Sequence, residues 1–250
     1  MRSISTLLVV TLVSLFACSS SDDGDVDSDA SGSKTGDGGK ATAGGGRALS
    51  SSPKQGVATY YDADGSGNCS FAKSPKDLDV VALALPGYNE SAACGACLRV
   101  TGPKGDVTVR VVDSCPPCEG SGIDLDLSAE AFAKIANPKD GRVSITYQAV
   151  SCATTGNLAF HFKDGSSKWW TAIQVRNHRV PIAKLEYKRG STWTAMERED
   201  YNFFVEHSGV GDQPSGLVLR VTSSDGQVIE ETLPGSIPSD KTVAGTKQFQ

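Results

Sequence analysis

The sequence predicts a mainly β protein with two folded domains, and three observations carry that prediction. Apolar and polar residues alternate with period two through both halves of the 250-residue chain. Six of the seven cysteines lie between Cys69 and Cys152, whereas Trp169, Trp170 and Trp193 all follow them. Only one segment carries the spacing and end signals of a helix. With 24 Lys plus Arg against 29 Asp plus Glu, the net charge of -5 argues against a basic nucleic-acid binder or a polybasic membrane-surface protein.

The chain opens on Arg2 and an apolar run, Leu7 to Phe16, ending in Leu15-Phe16-Ala17-Cys18. This run is too short to span a membrane and sits where a targeting signal sits. Its end resembles the bacterial lipobox, which implies a signal peptide over residues 1–17 and a lipid on the thiol of Cys18. An ordinary secretory signal cut nearby is the alternative. Either way the protein is expected outside the cytoplasm, as an outer-membrane or cell-surface lipoprotein or as a secreted protein, and any membrane contact is through that anchor alone. Residues 18–54 are Ser, Asp, Gly, Lys, Thr and Ala with almost no large apolar side chain, so they read as a disordered tether. The Asp residues in it lack the Glu and Gly spacing of a calcium loop and read as solubilising.

The first domain is expected over residues 55–153. Without Cys18 it holds an even number of cysteines, which in an exported chain predicts three disulfides. The pairs Cys94/Cys97 and Cys115/Cys118 have the C-x-x-C spacing of a zinc site, the reading a cytosolic chain would favour. Val107, Val109 and Val111 alternate with Thr108 and Arg110, and Val143, Ile145, Tyr147 and Ala149 alternate with polar residues, which gives half-buried strands. Ser128 caps the one helix, which buries Phe132, Ile135 and Ala136 and stops at Asn137-Pro138. Two carboxylates stand out from an acidic surface. Asp113 ends the strand through Val112, where a side chain faces a cleft. Asp126 lies between Leu125 and Leu127, an apolar setting that raises a carboxyl pKa; a contact with the helix start is its bland alternative.

The second domain is expected over residues 154–236 as a β-sandwich of short strands: Leu158, Phe160 and Phe162; Ile173 and Val175; Ala183, Leu185 and Tyr187; Leu217, Leu219 and Val221. Asp225-Gly226 reads as a hairpin turn. Trp169 and Trp170 are adjacent, so in a regular strand one of them would be core. A bulge or strand end would turn both outward, and with Tyr201 they would form an aromatic ledge suited to stacking on sugar rings. Lys163 is a candidate donor to sugar hydroxyls. Residues 237–250 read as a flexible tail. His161, His178 and His207 show no ligand spacing, and neither a nucleophile elbow nor a phosphate loop is present, so no metal and no cofactor are expected.

The segments Gly56-Val57-Ala58-Thr59-Tyr60-Tyr61, Val112-Asp113 and Ile123-Asp124-Leu125-Asp126-Leu127-Ser128 resemble the first domain of a microbial expansin. The stretch from Gly165 through Lys168-Trp169-Trp170 to Arg176-Asn177-His178 is similar to the opening of the expansin cellulose-binding module, and Tyr187, Trp193 and Asp200-Tyr201-Asn202 follow. The likeness runs from about Lys54 to Leu233. It implies a six-stranded double-psi β-barrel packed on an immunoglobulin-like β-sandwich, acting as a monomer that loosens wall polysaccharide without hydrolysis. The implied partners are cellulose and associated neutral glucans, with peptidoglycan as a further candidate; the acidic charge disfavours pectin. Thr59, Asp113 and Asp126 match the family's cleft, Trp169, Trp170 and Tyr201 its aromatic platform, and Lys163 a polar neighbour. The resemblance also implies the pairs Cys69–Cys94 and Cys97–Cys152, which leaves Cys115 with Cys118.

Two departures bear on mechanism. Cys115 stands where bacterial relatives carry a tyrosine, and Asp62 stands where many carry glycine, at about the position of the catalytic base in related inverting endoglucanases. A weak glycoside hydrolase or lytic transglycosylase using Asp126 as acid and Asp62 as base is therefore the alternative function. A purely adhesive surface lipoprotein is the second.

Overall fold

The computed structural model describes residues 47–250 apart from residue 51, so residues 1–17, Cys18 and most of the expected tether lie outside it. The barrel is formed by β1 (Lys54–Tyr61), β2 (Val80–Ala84), β3 (Cys97–Gly102), β4 (Gly105–Cys115), β5 (Leu125–Ser128) and β6 (Val143–Val150), with a short helix α1 (Leu85–Tyr88) after β2 and α2 (Ala129–Ile135) after β5. The strands close in the order β1-β5-β2-β4-β3-β6, with β1/β5 and β2/β4 parallel and the other pairs antiparallel. This is the double-psi barrel that the resemblance implies.

The alternation in β4 does what its period requires. Val107, Val109 and Val111 point into a core with Val81, Leu98, Leu125, Leu127, Phe132 and Ile135, and Thr108 and Arg110 point out. In α2 the Ser128 hydroxyl accepts from the Ala131 amide at 3.1 Å, Ala131, Phe132 and Ile135 are buried, and the helix ends before Asn137-Pro138. The sequence expectation for this helix is met residue by residue.

Three disulfides join Cys69–Cys94, Cys97–Cys152 and Cys115–Cys118, with sequence separations of 25, 55 and 3. In the chain-entropy account the longest loop contributes about 4 kcal/mol and the shortest about 2 kcal/mol. The Cys115–Cys118 ring therefore adds least to the fold.

The sandwich comprises β7 (Ala159–Phe162), β8 (Thr171–Arg176), β9 (Ile182–Arg189), β10 (Thr192–Ala195), β11 (Glu197–Arg198), β12 (Phe204–Glu206), β13 (Leu217–Ser223), β14 (Val228–Leu233) and β15 (Lys241–Ala244). One sheet runs β10-β9-β13-β14 and the other β11-β12-β8-β7-β15. Phe160, Phe162, Ile173, Val175, Leu185, Tyr187, Leu219 and Val221 fill the space between them. Gly226 turns the β13–β14 hairpin at φ 86°, as Asp225-Gly226 predicts.

Three expectations need correction. The tail is not loose: β15 pairs antiparallel with β7, Phe249 is buried, and Glu231 accepts from the amides of Thr246 and Lys247 at 2.7 Å each. The edge of β7 has free backbone groups for a partner, and one buried phenylalanine anchors a segment whose own periodicity is weak. The end of the tether is also attached. β1 reaches only as far as Tyr147 on β6, and Ala48 takes its place by bridging Val150, with the Leu49 amide donating to the Ala149 carbonyl at 2.9 Å. Finally, Ala183 is exposed. The pairing of β9 with β13 shifts there, so Ile182 takes the inward place.

Barrel and sandwich are joined through polar groups. The Gln174 amide donates to the Cys69 carbonyl at 2.8 Å and Asn202 to the same carbonyl at 3.1 Å. The Tyr88 hydroxyl donates to the Asp200 carbonyl at 2.6 Å, and Ser91 to that of Glu199 at 2.7 Å. His178 is fully buried, and a Cβ on Gly95 would lie 2.6 Å from its Nε2, so the ring rests on bare backbone.

Candidate functional site

Strand alternation brings the barrel's candidate residues together. Ala58 faces the core, and Tyr60 packs on Phe132 with ring centroids 4.8 Å apart, so Thr59 and Tyr61 share the opposite face of β1. The parallel register of β1 with β5 sets Thr59 opposite Asp126, and Leu125 and Leu127 take the core positions on either side. Thr59 donates from its hydroxyl to Asp126 Oδ1 at 2.6 Å. Burial pushes the Asp126 pKa up, and the Thr59 bond pulls part of that back. The helix start is capped by Ser128, and Asp126 makes no contact with the first-turn amides. The capping role in its bland reading belongs to Ser128 instead.

Asp113 Oδ1 accepts from two backbone amides, Asn68 at 2.7 Å and Ser114 at 2.8 Å. The close approach of the Asn68 loop requires Gly67, where a Cβ would lie 2.4 Å from the Asp113 carboxyl carbon. Asn68 then reaches the other domain: its side-chain amide donates to the Tyr88 hydroxyl at 3.0 Å and to the Asp200 carbonyl at 3.2 Å. Asp62, the candidate base, is exposed beyond the end of β1 and has no hydrogen bond among the described residues.

Tyr61 is the cleft residue that sequence reasoning passed over. Its ring packs against Ala82, Cys115 and Cys118 on one side and Val80 and Val112 on the other, and its buried hydroxyl has no hydrogen-bond partner. Burial first, then the charges of Asp113, Asp126 and Asp64, hold that hydroxyl firmly protonated. The available signal was its place two residues after Thr59, on the same strand face. The Cys115–Cys118 ring closes the rim: both Sγ atoms and a carboxylate oxygen of Asp126 lie within 4.8 Å of one another.

On the sandwich, the core-facing residues of β8 and β12 are Ile173, Val175 and Phe204, so Ala172, Phe203 and Val205 lie on the opposite face of that sheet. Trp170 and Tyr201 pack on that patch, with Tyr201 and Phe203 centroids 5.9 Å apart. Lys163 reaches the same patch, with Nζ 5.7 Å from the Phe203 centroid. Trp169 is 72% exposed, and Lys168 Nζ lies 4.8 Å from its ring centroid. Both tryptophans precede β8, and only Trp170 forms a backbone bridge, with Ser167. Lying before the strand, neither ring enters the core: Trp170 is partly buried on the outer patch and Trp169 stands in solvent.

The structure thus brings Thr59, Tyr61, Asp113 and Asp126 into one cluster and Trp170, Tyr201 and Lys163 onto one sheet face, with Trp169 beside a separate hollow lined by Arg189 and Asp212, and Asn68 links cluster and face through Asp200, the neighbour of Tyr201. Comparison with known proteins follows the same division. A family model described as "Lytic transglycolase" matches residues 80–147, the stretch that holds Asp113 and Asp126. The chain is 41% identical over 206 residues to Expansin-YoaJ of Bacillus subtilis (strain 168), covering 78% of this chain and 86% of that protein. It is 31% identical over 205 residues to Expansin-like protein 1 of Dictyostelium discoideum, covering 77% and 70%. Among solved structures it is similar to the apo Clavibacter michiganensis expansin, at 35% identity and TM-score 0.70, over 80% of this chain and 98% of that one. A mutant of that expansin, solved in complex with cellohexaose, matches at 34% identity with the same TM-score and coverage.

Proposed function

The chain belongs to the expansin family, and from that membership we propose that it binds cellulose through the sandwich and loosens glucan networks through the barrel cleft without cutting chains. The aromatic rings of Trp169, Trp170 and Tyr201 stack on sugar faces, and Lys163 donates to sugar hydroxyls. Asp126 and Thr59 hydrogen-bond a neighbouring glucan in the cleft, while Asp113 fixes the loop that joins cleft to platform. Binding energy realised at both ends of one rigid bridge separates the polysaccharide chains.

The observation that carries this reading is the path through Asn68, from the Asp113 carboxylate to the Asp200 carbonyl beside Tyr201. It gives cleft and platform a fixed separation, which gripping one chain while anchored on its neighbour requires. The cellohexaose complex of the Clavibacter michiganensis expansin supports a cello-oligosaccharide as the ligand class. Against hydrolysis stands Asp62. An inverting base must hold a water in place, and an exposed carboxylate without a hydrogen bond is poorly oriented for that task.

A second reading has its own observation. Burial raises the Asp126 pKa and the matched family model carries a lytic description, so a single carboxyl serving as general acid on peptidoglycan or glucan is the competing chemistry. Purified residues 47–250 incubated with microcrystalline cellulose and with peptidoglycan decide between the two. The proposal predicts adsorption to cellulose and no new reducing ends or soluble fragments. Product formation that disappears in both Asp62→Asn and Asp126→Asn would establish the hydrolytic alternative, and product lost in Asp126→Asn alone the lytic one. Adhesion alone would leave every effect with the isolated sandwich.

A further inference from the structure

We propose that opening the Cys115–Cys118 disulfide converts the cleft rim into a site for a zinc-class divalent cation, with Cys115 Sγ, Cys118 Sγ and one Asp126 oxygen as ligands. Three features assign it. The two cysteines have the C-x-x-C spacing that lets adjacent thiolates share one metal. Their sulfurs and an Asp126 carboxylate oxygen all lie within 4.8 Å of one another. A tetrahedral ion with zinc–sulfur bonds of about 2.3 Å needs its two sulfurs about 3.8 Å apart, a separation the pair reaches once the S–S bond is gone.

The carboxylate is already prepared for the task. Thr59 holds Asp126 Oδ1 at 2.6 Å, and Oδ2 has no hydrogen-bond partner among the described residues. One oxygen is therefore free to ligate while the other is oriented by a hydroxyl, the arrangement that fixes a ligand's direction from the second layer. Cys115 and Cys118 are themselves buried, at 9% and 3% exposure, and their neighbours Pro116, Pro117, Glu119 and Gly120 are exposed, so reductant and ion reach the sulfurs by way of this short surface loop. With three protein ligands the fourth position falls to water.

The chemistry balances with a dithiol as reductant. One thiolate of the dithiol attacks a cysteine sulfur, the Cys115–Cys118 bond breaks, and the second thiol of the dithiol displaces the mixed disulfide. Two electrons and two protons pass to the protein, and the dithiol leaves as its cyclic disulfide. Binding of the divalent ion then releases the two thiol protons. The site stands on this geometry alone. That a bound ion takes Asp126 away from glucan is the one consequence that rests on the proposed function.

The test uses cobalt(II), which reports thiolate ligation by an intense near-ultraviolet charge-transfer band and tetrahedral geometry by its visible bands, with zinc as competitor. Purified residues 47–250 are treated with graded dithiothreitol, excess reductant is removed, and free thiols are mapped by alkylation and mass spectrometry. Cys115 and Cys118 are expected to open first, and the opened protein to bind one cobalt per chain, displaced by zinc. Asp126→Asn is expected to weaken binding at least tenfold with the thiolate band retained, and the Cys115→Ser/Cys118→Ser double variant to abolish the band. An unreduced sample provides the folded control without a variant and is expected to bind none. Opening of Cys69–Cys94 or Cys97–Cys152 first, no cobalt bound after opening, or unchanged affinity in Asp126→Asn would each overturn the proposal. Because no polysaccharide is present, failure here is separable from failure of the wall-loosening reading.

Discussion

Replacing Trp169 by alanine is the substitution whose effect on binding can be worked from the structure. The residue is 72% exposed, which for a tryptophan of about 250 Å² leaves roughly 180 Å² in solvent. A flat sugar face covers one side of the ring, about 90 Å², and at about 25 cal/mol per Å² that burial is worth about 2 kcal/mol. The expected loss is about 30-fold in affinity for cellulose. Because the exposed ring contributes little to the core, thermal unfolding of the variant should match the parent. Depletion isotherms on microcrystalline cellulose read the affinity, and calorimetry reads the unfolding. An affinity within twofold of the parent, with an intact fold, would refute the assignment of Trp169 to the platform.

Asp126 should make stability fall as pH rises. Its folded pKa is raised, so between the ordinary aspartate value and that raised value the native state holds more protons than the unfolded chain, and ionisation costs stability. Asp126→Asn should therefore unfold at a higher temperature than the parent at neutral pH, and the gain should vanish in acid. His178 acts in the opposite sense: burial lowers its pKa from 6.5 to about 4, so up to about 3 kcal/mol of stability is lost as pH falls through that interval. Urea unfolding between pH 7 and pH 4 should show this slope, and His178→Gln should flatten it. Phe249→Ala should cost about 3–5 kcal/mol by the same urea assay, because the ring is buried in the sandwich core. A loss below 1 kcal/mol would return the tail to the loose state its sequence suggested.

How far the sequence could be read depended on whether one short stretch held the whole signal. The Val107 to Val111 alternation, the Ser128 cap and the Asp225-Gly226 turn each have their physics within a few residues, and each appears in the structure as expected. The disulfide partners are not of this kind. They followed from the family resemblance, since spacing alone leaves connectivity open. The closed double-psi barrel depends on contacts across the whole domain and came from the same source.

What escaped was set by distant partners. β15 and Leu49 look formless alone and become ordered because β7 and the end of β6 present open edges. Ala183 fits its alternation on paper, yet a single added residue against β13 turns it outward. At the site, the resemblance placed Thr59 and Asp126 in one cleft, but their hydrogen bond exists only because β1 runs parallel to β5. Tyr61 was missed because a tyrosine in a strand ordinarily reads as core. Asn68 was missed because its role lies in joining two domains, for which a loop asparagine gives no sign.

The extension of cellulose paper under constant load, with soluble sugar assayed in the same vessel, tests the central claim most directly. With the parent protein the paper should creep or weaken while sugar stays at background, and both Tyr201→Ala and Asp113→Ala, one at each end of the bridge, should remove the effect. Undiminished weakening by Asp113→Ala, or weakening that tracks sugar release, would contradict it.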